Sequence, residues 1–272
     1  MQIRPRTRTL AIPSTLLVVV LSFATLAGTQ GAGEAALNLV SLDQEWAMRD
    51  ELVAQVAQEK QLVNDRAALD YLNKVGRRIA AQTPLGNRRW DFYIVRDSAV
   101  NAFNLPGGLI FVNSGLIAEA ASLDQLAGVM AHEIGHGAAR HGTQLMTRAY
   151  GYNLIAGLAL GRNPSQGRQI AAQLLGTGLL TNYSRDAERE ADRLGVNYTY
   201  RAGYDPEGLE DFFGKLGSLR QSRPSKVQQF FSSHPLTEER VQIVDSEISR
   251  LPRKSSLTHD TRDYQRFRSR FR

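Results

Sequence analysis

The stretch Ala131-His132-Glu133-Ile134-Gly135-His136-Gly137 carries the pattern H-E-x-x-H. On a helix, residues four apart sit one above the other, so His132 and His136 present two imidazoles to one point. Glu133 lies one step round, where its carboxylate reaches a water at that point without being a ligand. Zinc held by three protein groups keeps a fourth position for water and lowers the water's pKa to roughly 7. A neighbouring carboxylate then takes the proton and passes it to a leaving amine. The spacing points to one Zn2+ per chain, with His132 and His136 as ligands and Glu133 as general base. Such a match also arises by chance, so its context decides. Ser122-Leu123-Asp124-Gln125 reads as a capping box that opens a helix. Leu123, Leu126, Ala127, Met130 and Ile134 then recur at helical spacing. The motif therefore sits in a buried helix, where a histidine pair without a metal is expensive to bury.

The 272-residue chain has no cysteine, which rules out disulfides, thiolate metal sites and a cysteine nucleophile. Its net charge of +6 is concentrated at the ends. Arg4, Arg6 and Arg8 open the chain, and seven basic residues between Arg253 and Arg272 face two acidic ones. The body between is slightly acidic, which argues against a nucleic-acid partner. Residues 253–272 read as a basic, disordered tail. Contact with an anionic membrane surface is the alternative, since Tyr264, Phe267 and Phe271 lie among the arginines.

Residues 1–32 read as an export signal or, uncut, as an N-terminal anchor. Three arginines precede an apolar run over residues 10–26, and small residues follow. Thr29 stands where a lipidated cysteine would be required. The domain, expected over 33–252, is thereby placed in the periplasm or outside the cell. Within it, helices are expected over 41–59, 65–81, 185–200, 205–219 and 237–251, and strands over 90–95 and 109–112. Two apolar pieces, 154–160 and 170–180, are too short to span a bilayer and read as core helices or a flap over the site.

For a third ligand, a histidine close behind the motif would need Gly at 139 and His at 142. The chain has Ala139 and Gly142. His141, nine residues beyond His132, falls on the opposite side of a continuing helix and reads as a surface residue or one behind the ligands. Glu188 and Asp192 are four apart on one helix face. Glu188 can bind the metal while Asp192 accepts a hydrogen bond from the outer nitrogen of a ligand histidine. Asp186 and Glu190 point elsewhere. A solvated acidic-basic helix face is the alternative, and the spacing does not choose between the two.

Several stretches occur in a telling order: Asn101-Ala102-Phe103, Pro106-Gly107-Gly108, His132-Glu133-x-x-His136, Ser184-Arg185, Glu188-x-x-Ala191-Asp192, Gly203-Tyr204-Asp205-Pro206, and Ser233-His234-Pro235 with Arg240. Together, over roughly residues 41–250, the chain resembles the HtpX/BepA-like zinc metallopeptidases, peptidase family M forty-eight, which also includes the CaaX prenyl protease and mitochondrial Oma-type proteases. The resemblance implies a mostly helical α+β domain of the gluzincin type, with a small sheet beside two zinc-binding helices. It implies Glu188 as third ligand and Glu133 as general base. It gives His234 and Arg240 catalytic roles beside the oxyanion, with His234 able to cap the resting metal. It also implies that a substrate peptide adds as a strand along Gly107, Gly108, Leu109 and Ile110. The expected activity is extracytoplasmic zinc-dependent endopeptidase cleavage of unfolded or damaged exported polypeptides. A zinc-stabilised, chaperone-like binding protein is the alternative, although a pure binder has no need of Glu133.

Overall fold

The structure, a computed structural model, describes residues 37–149 and 183–272. The expected export signal and the apolar pieces 154–160 and 170–180 lie outside the described residues.

Two short helices come first, α1 (Leu42–Ala47) and α2 (Arg49–Glu59), where one was expected; they meet at Met48. Helix α3 (Arg66–Ala80) starts at Asp65, whose side chain accepts from the Ala68 N–H. Three strands follow: β1 (Asp91–Val95), β2 (Ala102–Leu105) and β3 (Leu109–Asn113). Next come α4 (Ser114–Glu119), the H-E-x-x-H helix α5 (Leu123–Ala138) and a helix α6 described over 141–149. The remainder is α7 (Arg185–Arg201), α8 (Glu207–Ser222), α9 (Pro224–Ser233), α10 (Glu238–Ser249) and α11 (Arg262–Arg268). This is the expected mostly helical α+β architecture. No helix among the described residues is long and apolar enough to cross a membrane.

The sheet order is β1-β3-β2, with β3 parallel to β1 and antiparallel to β2. Strand β3 is buried on both faces. Ile110 and Val112 join the larger core with α3 and α5, while Leu109 and Phe111 pack with Leu52 and Val56 of α2 and Met146 of α6. This order corrects the expected substrate strand. Leu109 pairs with Asp91 on one side and Leu105 on the other, so β3 has no open edge to accept a peptide. Gly107 and Gly108 serve the β2–β3 turn instead, with φ of +84° and +71°, backbone that side chains disfavour. The Gly107 N–H and Gly108 carbonyl are engaged by Glu45 and by the Asp91 N–H. Among the described residues, β2 is the strand with an open outer edge beside α5.

The expected disordered tail is also corrected. Residues 258–272 fold back on the domain because their aromatic side chains find a core. Tyr264 is fully buried, with its hydroxyl donating to the Ala120 carbonyl at 2.7 Å, and Phe267 stacks on Tyr71. Arg268 donates to the Ala118 carbonyl. Tyr264 and Phe267 are thus withdrawn from any membrane surface.

Helices α5 and α7 cross closely enough that small residues are required. A Cβ on Gly195 would stand 3.1 Å from the backbone of His132, and one on Gly135 would stand 3.0 Å from the Ala191 carbonyl. This approach brings the acidic residues of α7 against the histidines of α5.

Candidate active site

His132 and His136 sit one turn apart on α5, with their Nε2 atoms 3.2 Å from each other. Across the crossing, α7 supplies Glu188, capped into its helix by Ser184. Its Oε1 is 3.3 Å from Nε2 of His136 and its Oε2 is 3.6 Å from Nε2 of His132. The spacing left Glu188 open between ligand and solvated face; the structure buries it among the imidazoles. His234, at the C-terminal end of α9, brings Nδ1 to 3.0 Å from Glu188 Oε1 and 3.4 Å from His132 Nε2. These four residues offer ligand atoms that all lie within 4.8 Å of one another, and all four are buried.

The donor set fits a zinc ion. Imidazole nitrogens and a carboxylate at this mutual spacing are what tetrahedral Zn2+ accepts. The electrostatics agree with a cation site. Burial pulls His132 down, but Asp192 and Glu188 outweigh it and raise the imidazole to about 9. Burial pushes Glu188 up, yet His234 and His136 hold its carboxyl well below the usual range. For His136 burial wins, and its imidazole lies well below its ordinary value. The carboxylate oxygens of Glu133 are fully buried and make no side-chain hydrogen bond among the described residues. Burial raises its pKa, and the closest histidine nitrogen is His234 Nε2 at 3.4 Å.

Asp192 stands behind His132, with Oδ1 2.9 Å from Nδ1. Arg240 in turn grips Asp192 with two hydrogen bonds of 2.7 Å, from Nε and Nη2. Its Nη1 reaches Glu188 Oε2 at 2.9 Å and donates to the Pro235 carbonyl at 3.1 Å. The resemblance placed Arg240 beside the oxyanion; here every nitrogen of its guanidinium meets Asp192, Glu188 or the backbone.

One residue of this site, Tyr183, was not singled out by the sequence, and a second, His141, was left between the surface and a place behind the histidines. Tyr183 lies flat on His136, with ring centroids 4.1 Å apart, and its hydroxyl donates to Asn104 Oδ1 at 2.8 Å. It joins the site to β2, and no spacing signal marks it. His141 is 3 % exposed, and its Nδ1 lies 2.8 Å from Nδ1 of His136. The helical-wheel placement fails because α5 ends at Ala138. Beside Glu188 lies a cavity of about 140 Å³ bounded by Tyr183, Arg185, Pro235 and Thr237.

Residues 66–248 match peptidase family M48. The chain is 31% identical over 211 residues to the mitochondrial metalloendopeptidase OMA1 of Schizosaccharomyces pombe, covering 76% of this chain and 62% of that protein. It is 31% identical over 224 residues to the beta-barrel assembly-enhancing protease of Escherichia coli, covering 77% of this chain and 45% of that protein. A putative beta-barrel assembly-enhancing protease of Vibrio cholerae is 31% identical over 222 residues, with 77% and 45% covered. The chain thus spans between about half and two thirds of the length of these curated relatives.

Proposed function

The chain belongs to peptidase family M48, and we propose that it is a zinc metalloendopeptidase that cuts unfolded or damaged exported polypeptides outside the cytoplasm. The observation that carries this reading is the buried group His132, His136, Glu188 and His234, with the buried carboxylate of Glu133 beside it.

His132 and His136 through Nε2, and Glu188 through its carboxylate, would hold one zinc ion. When bound, zinc supplies a positive charge that acidifies a water and polarises the scissile carbonyl. Glu133 takes the proton of the attacking water and returns it to the leaving nitrogen, a task suited to a carboxyl whose pKa burial has raised. Asp192 holds Nδ1 of His132 and so keeps Nε2 facing inward, while Arg240 fixes Asp192 and Glu188. His234 stands where a fourth ligand would, which suits a resting cap. Swung aside, its imidazole is placed to donate to the oxyanion. The substrate backbone would lie along the outer edge of β2, where Asn104 adjoins Glu133 and Tyr183, rather than along β3. Export of the domain rests on the N-terminal sequence pattern alone.

Cleavage of casein by the zinc-loaded protein tests the proposal, with Glu133→Gln and a chelated sample beside it. Fragments from the wild type alone are expected, with the variant retaining zinc and losing on the order of 10²–10⁴ in rate. Undiminished cleavage by Glu133→Gln would refute its role. No fragments from any zinc-bound sample, with client aggregation suppressed equally by both proteins, would favour a binding protein instead.

A further inference from the structure

Helix α5 stops immediately after the ligand pair. The Ala139 N–H returns to the Gly135 carbonyl, the Arg140 N–H returns to Gly137, and Arg140 adopts φ of +60°. A left-handed residue other than glycine is uncommon and needs support from its surroundings. Arg140 has it: Nε donates to the buried Glu45 carboxylate at 2.7 Å, and Nη2 donates to the Val40 carbonyl. Glu45 also accepts from the Gly107 N–H, so the reversal is anchored to the β2–β3 turn. The reversal folds His141 back under the last turn of α5. There its Nδ1 meets Nδ1 of His136 at 2.8 Å, and its Nε2 lies 3.3 Å from Glu190 Oε2 on α7.

We propose that His141 and Glu190 are positioning residues that orient His136 for zinc, a second outer arm matching the one Asp192 provides for His132. The geometry dictates the protons. With Nε2 of neutral His136 turned to the ligand group, its hydrogen sits on Nδ1 and is donated to Nδ1 of His141. That leaves the hydrogen of His141 on Nε2, donated to the Glu190 carboxylate. Without this chain, Nδ1–H of His136 would be a buried donor with no acceptor, and the imidazole would be free to take the wrong tautomer. The two ligand histidines are thus fixed by different means, a clamped carboxylate behind one and a histidine–carboxylate relay behind the other.

The inference rests on the zinc reading of the site, and its test reads zinc affinity rather than cleavage. Zinc would be titrated into the full chain against a chromophoric chelator. His141→Leu fills the space but offers no acceptor, and should bind zinc about 10–100-fold more weakly. His141→Asn, whose Oδ1 can stand where Nδ1 does, should recover most of that loss. Glu190→Ala, at a carboxylate 58% exposed, should weaken binding by a smaller factor. It should add nothing in the His141→Leu background, because the two act in series. Metal-stripped His141→Leu should melt close to the metal-stripped wild type.

Wild-type affinity in His141→Leu, or equal weakness in Leu and Asn variants, would overturn the proposal. Unchanged affinity in Glu190→Ala would remove Glu190 from it. A wild type that binds zinc but cuts nothing would defeat the proposed activity and leave this arrangement standing, whereas a wild type that binds no zinc would defeat both.

Discussion

The backbone N–H of Asp124 donates to the carbonyl of His259 at 3.0 Å, so the C-terminal segment caps the helix that carries His132 and His136. The Leu123 N–H next to it donates to the Asp260 side chain at 3.2 Å. The expected capping box does not form. Ser122 stands at the cap position, but its hydroxyl is turned to the Asp124 carboxylate, and Gln125 accepts from Ala121 instead. First-turn N–H groups of a helix need acceptors, and here two come from residues more than a hundred positions away.

Tyr264→Ala should therefore cost far more than a change in a solvated tail. The side chain is fully buried and holds the Ala120 carbonyl just before α5. A loss of about 3–5 kcal/mol is expected, as for other buried aromatics cut to alanine. Chemical denaturation would measure it, and a loss below about 1 kcal/mol would mean the segment is not part of the core.

The cap on α5 should be pH-sensitive, because the His259 imidazole lies against the Asp124 carboxylate. The Asp124 carboxylate raises His259 above its ordinary 6.5, with Asp205 and Asp260 adding to the field. A raised imidazole contributes stability that is complete below about 6.5 and is lost as pH rises through its higher folded value. Burial raises Asp124 as well, so its contribution has the same sign. The stability difference between wild type and His259→Gln should shrink as pH rises from about 6 to about 9. A constant difference across that range would show that the pair does not titrate with folding.

Arg240→Ala should be strongly destabilising. It strips two hydrogen bonds from Asp192 and one contact from Glu188, leaving two carboxylates buried without their cation. Removing one partner of a buried ion pair costs roughly 3–5 kcal/mol. Denaturation in the presence of chelator would isolate this effect from metal binding. Should the variant be as stable as wild type, the clamp is not what holds Asp192.

Gly195→Val should both destabilise the domain and loosen zinc. The first added carbon would already stand 3.1 Å from the His132 backbone, so α5 and α7 must separate. Overpacking of this kind costs about 1–3 kcal/mol. A zinc titration beside a thermal melt checks both. Lower stability with unchanged zinc affinity would mean the ligands tolerate the displacement.

Much of the architecture was legible in local sequence, because periodicity and caps are local. Helix α3, the helices that start at Arg185 and Glu238, and the H-E-x-x-H helix all fall close to where spacing places them. Strand β2 and helix α4 escaped, since four and six residues are too short to show a period. The tail was misjudged because its charge is visible in sequence, while the core that receives Tyr264 and Phe267 is not.

The sequence by itself determined the chemistry on offer: two imidazoles one turn apart, a carboxylate one step round from them, and a second acidic pair at helical spacing on another segment. Those follow from residue identity and the pitch of a helix. Tertiary structure decided which of these groups meet. It buried Glu188 among the imidazoles, where spacing had left a solvated face open, by crossing α7 on α5 at Gly135 and Gly195, committed Arg240 to Asp192, and moved the open sheet edge from β3 to β2. It also turned His141 from the far side of an imagined helix onto the back of His136. Each of these depends on where a helix stops or which strands pair, and those outcomes are set by contacts between residues distant in the chain.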